Sequence, residues 1–282
     1  MNADRNSRRY KLSKNILEEI AAYTKKRIDI QKEMHSVKEV LKAAEAALEE
    51  REKSGRIGLK AFEEALKKEK LSFICEVKKA SPSKGQMVSD SDFDPLRIAS
   101  DYRAAGADAF SVLTEPEYFK GSDKYLRSIT DNITDIPALR KDFTVDEYMI
   151  YEAETLGASA ILLIVAILSQ EELEKYLVVA KKLKLAAIVE THSAEDIDRA
   201  LSAGADIVGI NNRDLRTFRT DIQNSIDLRH LIPSDKIFIS ESGIHTPDDI
   251  IRLRECGADA VLIGEAMVTS NDKGAMLKAL RG

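Results

Sequence analysis

Cysteine is scarce in this chain, which carries only Cys75 and Cys256. That scarcity argues against a disulfide framework and fits a reducing compartment, with the cytoplasm as the expected location. Both thiols lie in apolar segments and are expected to be buried structural groups. Histidine is sparse too: His35, His192, His230 and His245 are scattered with no metal-ligand spacing, so no metal site is expected. No apolar run approaches the roughly 20 residues of a membrane span. The opening "MNADRNSRRYKLSKN" lacks the apolar segment of a secretory signal, so the expectation is a chain with no membrane partner. Long basic runs are also missing. Lys and Arg number 43 against 48 Asp and Glu, a net charge of −5, and nucleic acid is not an expected partner.

What the chain does have is enough apolar material for a large core, 44% of 282 residues. Four phrases recur: "AAGADAFSVL", "TLGASAILLI", "SAGADIVGIN" and "ECGADAVLIG". Their glycines, Gly106, Gly157, Gly204 and Gly257, lie 51, 47 and 53 residues apart. Each phrase reads as a helix end, a glycine free to turn left-handed, and a short strand. A period of about 50 residues holds two strand–helix units, so the four phrases mark the quarters of a ring. The runs "FICEV", "IPALR", "LAAIVE" and "KIFISES" supply the alternate strands. Continuous apolar character suits parallel strands covered on both faces. Helix-start chemistry falls between them: Asp94-Pro95 and Thr246-Pro247, with capping-box spacing at Thr144/Glu147 and Ser169/Glu172. The expected fold is α/β, a (β/α)8 barrel with an N-terminal helical extension; an open doubly wound sheet is the competing architecture.

Residues 1–70 are expected to form that extension, packed on the barrel, and residues 71–282 the catalytic barrel. Ser36/Glu39 has capping-box spacing, after which Val37, Val40, Leu41, Ala44 and Leu48 trace one helical face. Leu17, Ile20, Ala21, Thr24 and Ile28 trace another, and Leu59, Phe62 and Leu66 suit a shorter helix. The apolar stripe breaks around Lys32 to Ser36, which disfavours a free-standing coiled coil.

The stretch "FICEVKKASPSKG" starts as a buried strand and then turns charged at Glu76, Lys78 and Lys79. A buried charge without a partner is costly. In a (β/α)8 barrel, however, active sites lie at the C-terminal strand ends. Those ends carry Glu76 and Lys78, Glu115, Arg140 and Lys141, Glu190, Asn211 and Arg213, Glu241 and Ser242, and Gly264 and Glu265. The bland alternative is a rim of ion pairs; functional groups on so many strand ends favour a shared pocket for acid–base chemistry. Gly243 and Gly264 follow the last two strands, where barrels often bind phosphate through backbone N–H groups.

Assembled in order, "FICEVKKASPSKG", "DFDP", "SVLTEPEYFKGS", "LRKDF", "YEAETLGASAILLI", "IVETH", "GINNRDLRTF", "SESGI" and "LIGEAM" closely resemble the indole-3-glycerol phosphate synthase family of tryptophan biosynthesis. The resemblance spans about Ser72 to Met267, and the helical extension also looks like the family's. It implies a phosphorylated small-molecule substrate, 1-(2-carboxyphenylamino)-1-deoxyribulose 5-phosphate. Ring closure with loss of carbon dioxide and water would give indole-3-glycerol phosphate, with no metal or organic cofactor. It also allows transient association with other tryptophan-pathway enzymes.

By the same resemblance, Lys141 matches a general acid at the carbonyl oxygen and Glu190 the carboxylate of the dehydration steps. Glu76 matches a group orienting the ring nitrogen and the lysines. Lys78 matches a substrate-binding lysine that is a proton donor in some schemes. Asn211 and Arg213 match groups placing the substrate carboxylate and the neighbouring loop. Ser81, Ser242, Gly243, Gly264 and Glu265 fall at phosphate-site positions, Glu265 through its N–H alone. Phe119 and Phe143 fit an apolar slot for the anthranilate ring. Ala80 stands where some members have a basic residue, which shifts the expected phosphate contact toward Lys78 or Lys84. The chain ends soon after strand eight, so a monofunctional enzyme is expected. Competing functions are a phosphate-sugar isomerase, a Schiff-base aldolase using Lys141 or Lys78, and a non-catalytic barrel binding module.

Overall fold

A computed structural model describes residues 16–54, 59–67, 69–214, 217–270 and 272–281. The polar opening stretch and Leu215 and Arg216 of "GINNRDLRTF" lie outside those residues. The apolar runs become β1 (Ser72–Val77), β2 (Ala109–Leu113), β3 (Ala138–Lys141) and β4 (Ala160–Ile164), then β5 (Ala186–Thr191), β6 (Ile207–Asn211), β7 (Ile237–Glu241) and β8 (Ala260–Ile263). Each pairs in parallel with its sequence neighbour, and Ser72 opposite Ala260 joins β8 back to β1. Closure removes the open-sheet alternative.

Side chains alternate faces along a strand, and here the alternation separates two cores. Phe73, Cys75, Val77, Ile161, Leu163, Val208, Ile210 and Phe238 point outward into the layer beneath the helices. Ile74, Leu139, Leu162, Ile188, Ile207, Ile239 and Leu262 fill the barrel interior. Stepping two residues on from the interior set gives Glu76, Lys141, Glu190, Gly209, Glu241 and Gly264, with apolar Ile164 on β4 the exception. The period that buries the core therefore delivers the polar groups to the mouth.

Between the strands run α4 (Pro95–Ala104), α5 (Asp123–Asn132), α6 (Glu147–Thr155), α7 (Gln170–Lys182), α8 (Ala194–Ser202), α9 (Gln223–Leu228) and α10 (Pro247–Glu255); after β8 come α11 (Glu265–Val268) and a final helix, Lys273–Arg281. Asp94 caps α4 ahead of Pro95, and the boxes Ser169/Glu172 and Thr246/Asp249 are both formed. The Thr144/Glu147 expectation is corrected. Asp146 caps α6 by accepting from the Tyr148 N–H, while Thr144 is buried two residues earlier. Gly106, Gly157, Gly204 and Gly257 all take φ between +75° and +90°, as the recurring phrase requires. Cys75 is fully buried, and burial pushes its thiol up to about 12. Cys256 is only partly buried, because it sits at the helix end after α10 rather than in a strand.

Among the described residues, three helices precede β1: α1 (Ile16–Met34), α2 (Val37–Ser54) and α3 (Leu59–Leu66). Ser36 and Glu39 form their reciprocal capping contacts at the second. The first helix buries Leu17, Ile20, Thr24 and Ile28. Its Arg27 donates to both oxygens of buried Asp142 at 3.0 Å. Arg51 of the second helix pairs with Glu154 at 2.7 Å and also donates to the carbonyl of Leu183. Phe62 and Leu66 of the third join the interior cluster from the N-terminal side of the barrel.

Candidate active site

All thirteen residues singled out from sequence line one pocket at the C-terminal mouth: Glu76, Lys78, Ser81, Phe119, Lys141, Phe143, Glu190, Asn211, Arg213, Ser242, Gly243, Gly264 and Glu265. Ile16, Leu17 and Ile20 of the first helix form part of its wall, and Glu241 of β7 joins the floor.

Lys141 is the hub. Its Nζ donates to Glu190 Oε2 at 3.0 Å and lies 3.4 Å from Glu241 Oε2. Burial works against the ammonium charge, but Glu190, Glu241 and Glu76 outweigh it and hold the lysine pKa above its ordinary value. Glu190 is also buried, which alone would favour its protonated form. Lys141 and His192, with the Asn211 amide donating to Oε1 at 3.1 Å, bring it below the usual carboxylate range instead. Glu241 fares differently. Burial and the charge of Glu190 outweigh Lys141 and push it up to about 7. Its Oε1 accepts no hydrogen bond among the described residues. One lysine thus faces an ionised carboxylate and a carboxyl group that takes up protons near neutrality.

Lys78 pairs directly with Glu76 Oε2 on the next face of the mouth. Both carboxylates above the barrel floor depend on missing side chains. A Cβ at Gly209 would collide with Glu241 Oε1, and one at Gly264 with Glu76 Oε2 and Lys78 Nζ. Gly264 therefore makes room for an ion pair, besides leaving its backbone open to a ligand.

Just after β7, Ser242 and Gly243 are successive left-handed residues, φ 69° and 77°. Asn212 donates to the Ser242 carbonyl at 3.0 Å and braces that turn. Ser81 lies in a two-stranded hairpin, Ala80–Ser81 against Gly85–Gln86, that follows β1. The Glu265 carboxylate lies 3.0 Å from Lys84 and 3.6 Å from Arg213, bridging the loops after β1 and β6. The Arg213 N–H donates to Asn211 Oδ1 at 3.0 Å. Phe119 and Phe143 stand with ring centroids 6.2 Å apart along one wall.

Two members of the expected polar ring are not in the mouth. Arg140 belongs to the outward face of β3 and points between the barrel and its helices, donating to Asp123 at 2.9 Å and the Met149 carbonyl at 2.8 Å. Glu115 is fully buried and turns back on its own loop. It accepts from the N–H groups of Glu117, Tyr118 and Phe119, at 3.0, 2.7 and 3.0 Å. The loop it braces is the one that presents Phe119. Glu241 is the site residue that sequence reasoning placed in the ring without choosing. Its signal was the apolar alternation of β7, which ends on it.

A closed parallel barrel with a lysine–carboxylate cluster in its mouth belongs to the barrel enzymes that work by acid–base chemistry. The family model for indole-3-glycerol phosphate synthase matches residues 17–280, and the chain belongs to that family. A relative of that name from Ruminiclostridium cellulolyticum is 54% identical over 222 residues, covering 79% of this chain and 84% of the relative. One from Lachnoclostridium phytofermentans is 44% identical over 271 residues, 94% and 98% of the two chains. Among solved structures, 3-hexulose-6-phosphate synthase from Salmonella typhimurium superposes with TM-score 0.62 at 12% identity, over 75% of this chain and 97% of that one. This last likeness is one of fold. No helix among the described residues is long and apolar enough to cross a membrane.

Proposed function

We propose that the pocket closes an indole ring on an anilino-ribulose phosphate, releasing carbon dioxide and water. The observation that carries this reading is Lys141, held protonated between Glu190 and Glu241 at the inner end of β3. A protonated lysine can donate to the sugar carbonyl oxygen while the ring carbon bearing the carboxylate attacks the carbonyl carbon. Carbon dioxide then leaves with its bonding pair returned to the ring. Loss of the resulting hydroxyl as water, with a proton taken from the neighbouring carbon, completes the aromatic five-membered ring. Glu190 is the carboxylate for that proton: ionised, fixed by Asn211 and shielded from bulk water. Glu241, with its pKa near neutrality, is placed to return a proton to Lys141 between steps. The same protonation opposes a Schiff-base role for Lys141, which needs a depressed pKa.

Phe119 and Phe143 form the slot for the aromatic ring, and Glu76 with Lys78 orients the ring nitrogen and carboxylate. The phosphate end comprises Ser81, the turn at Ser242–Gly243, and the backbone at Gly264 and Glu265, with Lys84 and Arg213 as nearby cations. Residues 1–70 act as an extension of a barrel spanning 71–282; Leu17 and Ile20 in the pocket wall support that division. Cytoplasmic residence and passing association with other enzymes of tryptophan synthesis complete the proposal. The test is an absorbance or fluorescence assay for indole-3-glycerol phosphate formed from the anilino-ribulose substrate. Turnover cut by ~10²–10⁴ in Lys141→Ala is the expected result, and no product from the folded wild-type protein would overturn the reading.

A further inference from the structure

His192 lies two positions after Glu190, just past the end of β5, and its backbone N–H donates to Asp196 of α8. Both ring nitrogens are shielded from solvent and neither makes a hydrogen bond among the described residues. A buried imidazole ordinarily has one nitrogen fixed by a partner, which sets its tautomer and orientation. This one is unfixed. Its Nε2 lies 3.6 Å from Glu190 Oε1, the oxygen that Asn211 also holds. That separation is a few tenths of an ångström beyond hydrogen-bond range, and catalytic contacts of this kind often tighten only when substrate is bound.

The ring also lines a second, polar cleft beside the pocket. Asp196 of α8 and Arg213, Asp214, Arg219 and Asp221 of the segment after β6 face this cleft. On the other side of Glu190 stand Lys141 and Glu241. Glu190 itself is 3% exposed, and the pocket wall above it is apolar Leu17 and Ile164. A proton taken up by this carboxylate needs a route out that does not cross the bound substrate.

We propose that His192 is that route, a positioning and relay residue that passes protons between Glu190 and water in the polar cleft. Glu190 Oε1 gives the proton it took from substrate carbon to the imidazole Nε2, which leaves the carboxylate ionised and the ring an imidazolium. The ring, which no hydrogen bond fixes among the described residues, then turns toward the cleft, where its Nε2 proton passes to a water. The neutral imidazole swings back in its starting tautomer. One proton moves from substrate to water, and no electrons change hands.

The inference rests on Glu190 being the proton carrier, so both residues are tested together in the ring-closure assay. Glu190→Gln should be inactive. His192→Asn and His192→Gln should bind substrate with KM within about twofold while kcat near neutrality falls by ~10², the low end of general acid–base effects. Their kcat should rise with added imidazole, which can enter the cleft, whereas wild-type kcat should not. The variants' kcat–pH profile should also lose an inflection that the wild type shows. Wild-type turnover in both His192 variants, or a loss that imidazole leaves untouched, overturns the relay while leaving Glu190 in place. A Glu190→Gln variant that keeps its turnover overturns the role of Glu190 and the relay with it.

Discussion

Arg140 and Lys141 are adjacent in sequence and opposite in fate. Both are charged, and both sit among carboxylates. Arg140 faces outward, where Asp123, Glu152 and the Met149 carbonyl satisfy a guanidinium that is 2% exposed. Lys141 faces inward to two carboxylates, one of which keeps an oxygen with no hydrogen bond among the described residues and is pushed up to about 7. Burying a charge is expensive in either place. The outer cluster offsets that cost with a full set of partners. The inner one leaves part of it standing as a proton affinity shifted from its ordinary value. A satisfied cluster holds structure, and an unsatisfied one is poised for chemistry.

The largest effect that separates the two should come from Lys141→Ala, which should cut turnover by ~10²–10⁴ and leave KM within about tenfold. Borohydride added to enzyme and substrate should leave no adduct on Lys141 or Lys78 by intact-protein mass spectrometry; an adduct would point to the Schiff-base reading. Arg140→Leu should do the reverse. Removing one partner of a buried ion cluster costs about 3–5 kcal/mol, measured by urea unfolding, while turnover per folded molecule stays near wild type. Equal losses of activity in both variants would erase the distinction between the clusters.

A smaller effect concerns Glu241. Its folded pKa of about 7 lies above the ordinary 4.5, so between those values the native state keeps a proton that the unfolded chain releases. Stability contributed by this group is therefore present at low pH and lost as pH rises through about 7. Wild-type melting temperature should fall relative to Glu241→Gln across that window, and a constant difference would show that Glu241 is not strained. The smallest effect should come from Arg27→Met, which unties the first helix from Asp142 beside the hub. We expect a rise in KM of a few-fold and a fall in melting temperature smaller than that of Arg140→Leu, because Thr114 and the Phe143 N–H still donate to Asp142. Unchanged kinetics would make this tie purely structural.

The fold was legible because its signals are local. A left-handed glycine after a helix, a proline behind a capping Asp or Thr, and apolar runs five residues long each state their own geometry. The site was legible for a related reason: interior alternation continues past the core, so the last inward residue of β3, β5 or β6 had to be at the mouth. Which residue is last depends on where the strand ends, and that is set by pairing with neighbours. "LRKDF" does not say whether Arg140 or Lys141 faces in; the register of β3 against Phe110–Leu113 does. Glu115 and Thr144 went astray similarly. A carboxylate folded back on three N–H groups of its own loop, and a cap displaced by two residues to Asp146, depend on chain reversals that carry no periodic mark. The Arg27–Asp142 tie joins residues 115 apart in the chain and had no sequence signal.

Gly209 and Gly264 carry no functional group, yet each occupies the one spot from which a methyl would evict a carboxylate. Alanine at either position is the mildest replacement there is by size and the least reactive by chemistry. In a genetic screen it should nonetheless resemble loss of Glu241 or Glu76 themselves. The barrel therefore holds two kinds of essential position, those that bear the charges and those whose emptiness lets the charges stay. Only the first kind can be recognised from what a side chain is able to do.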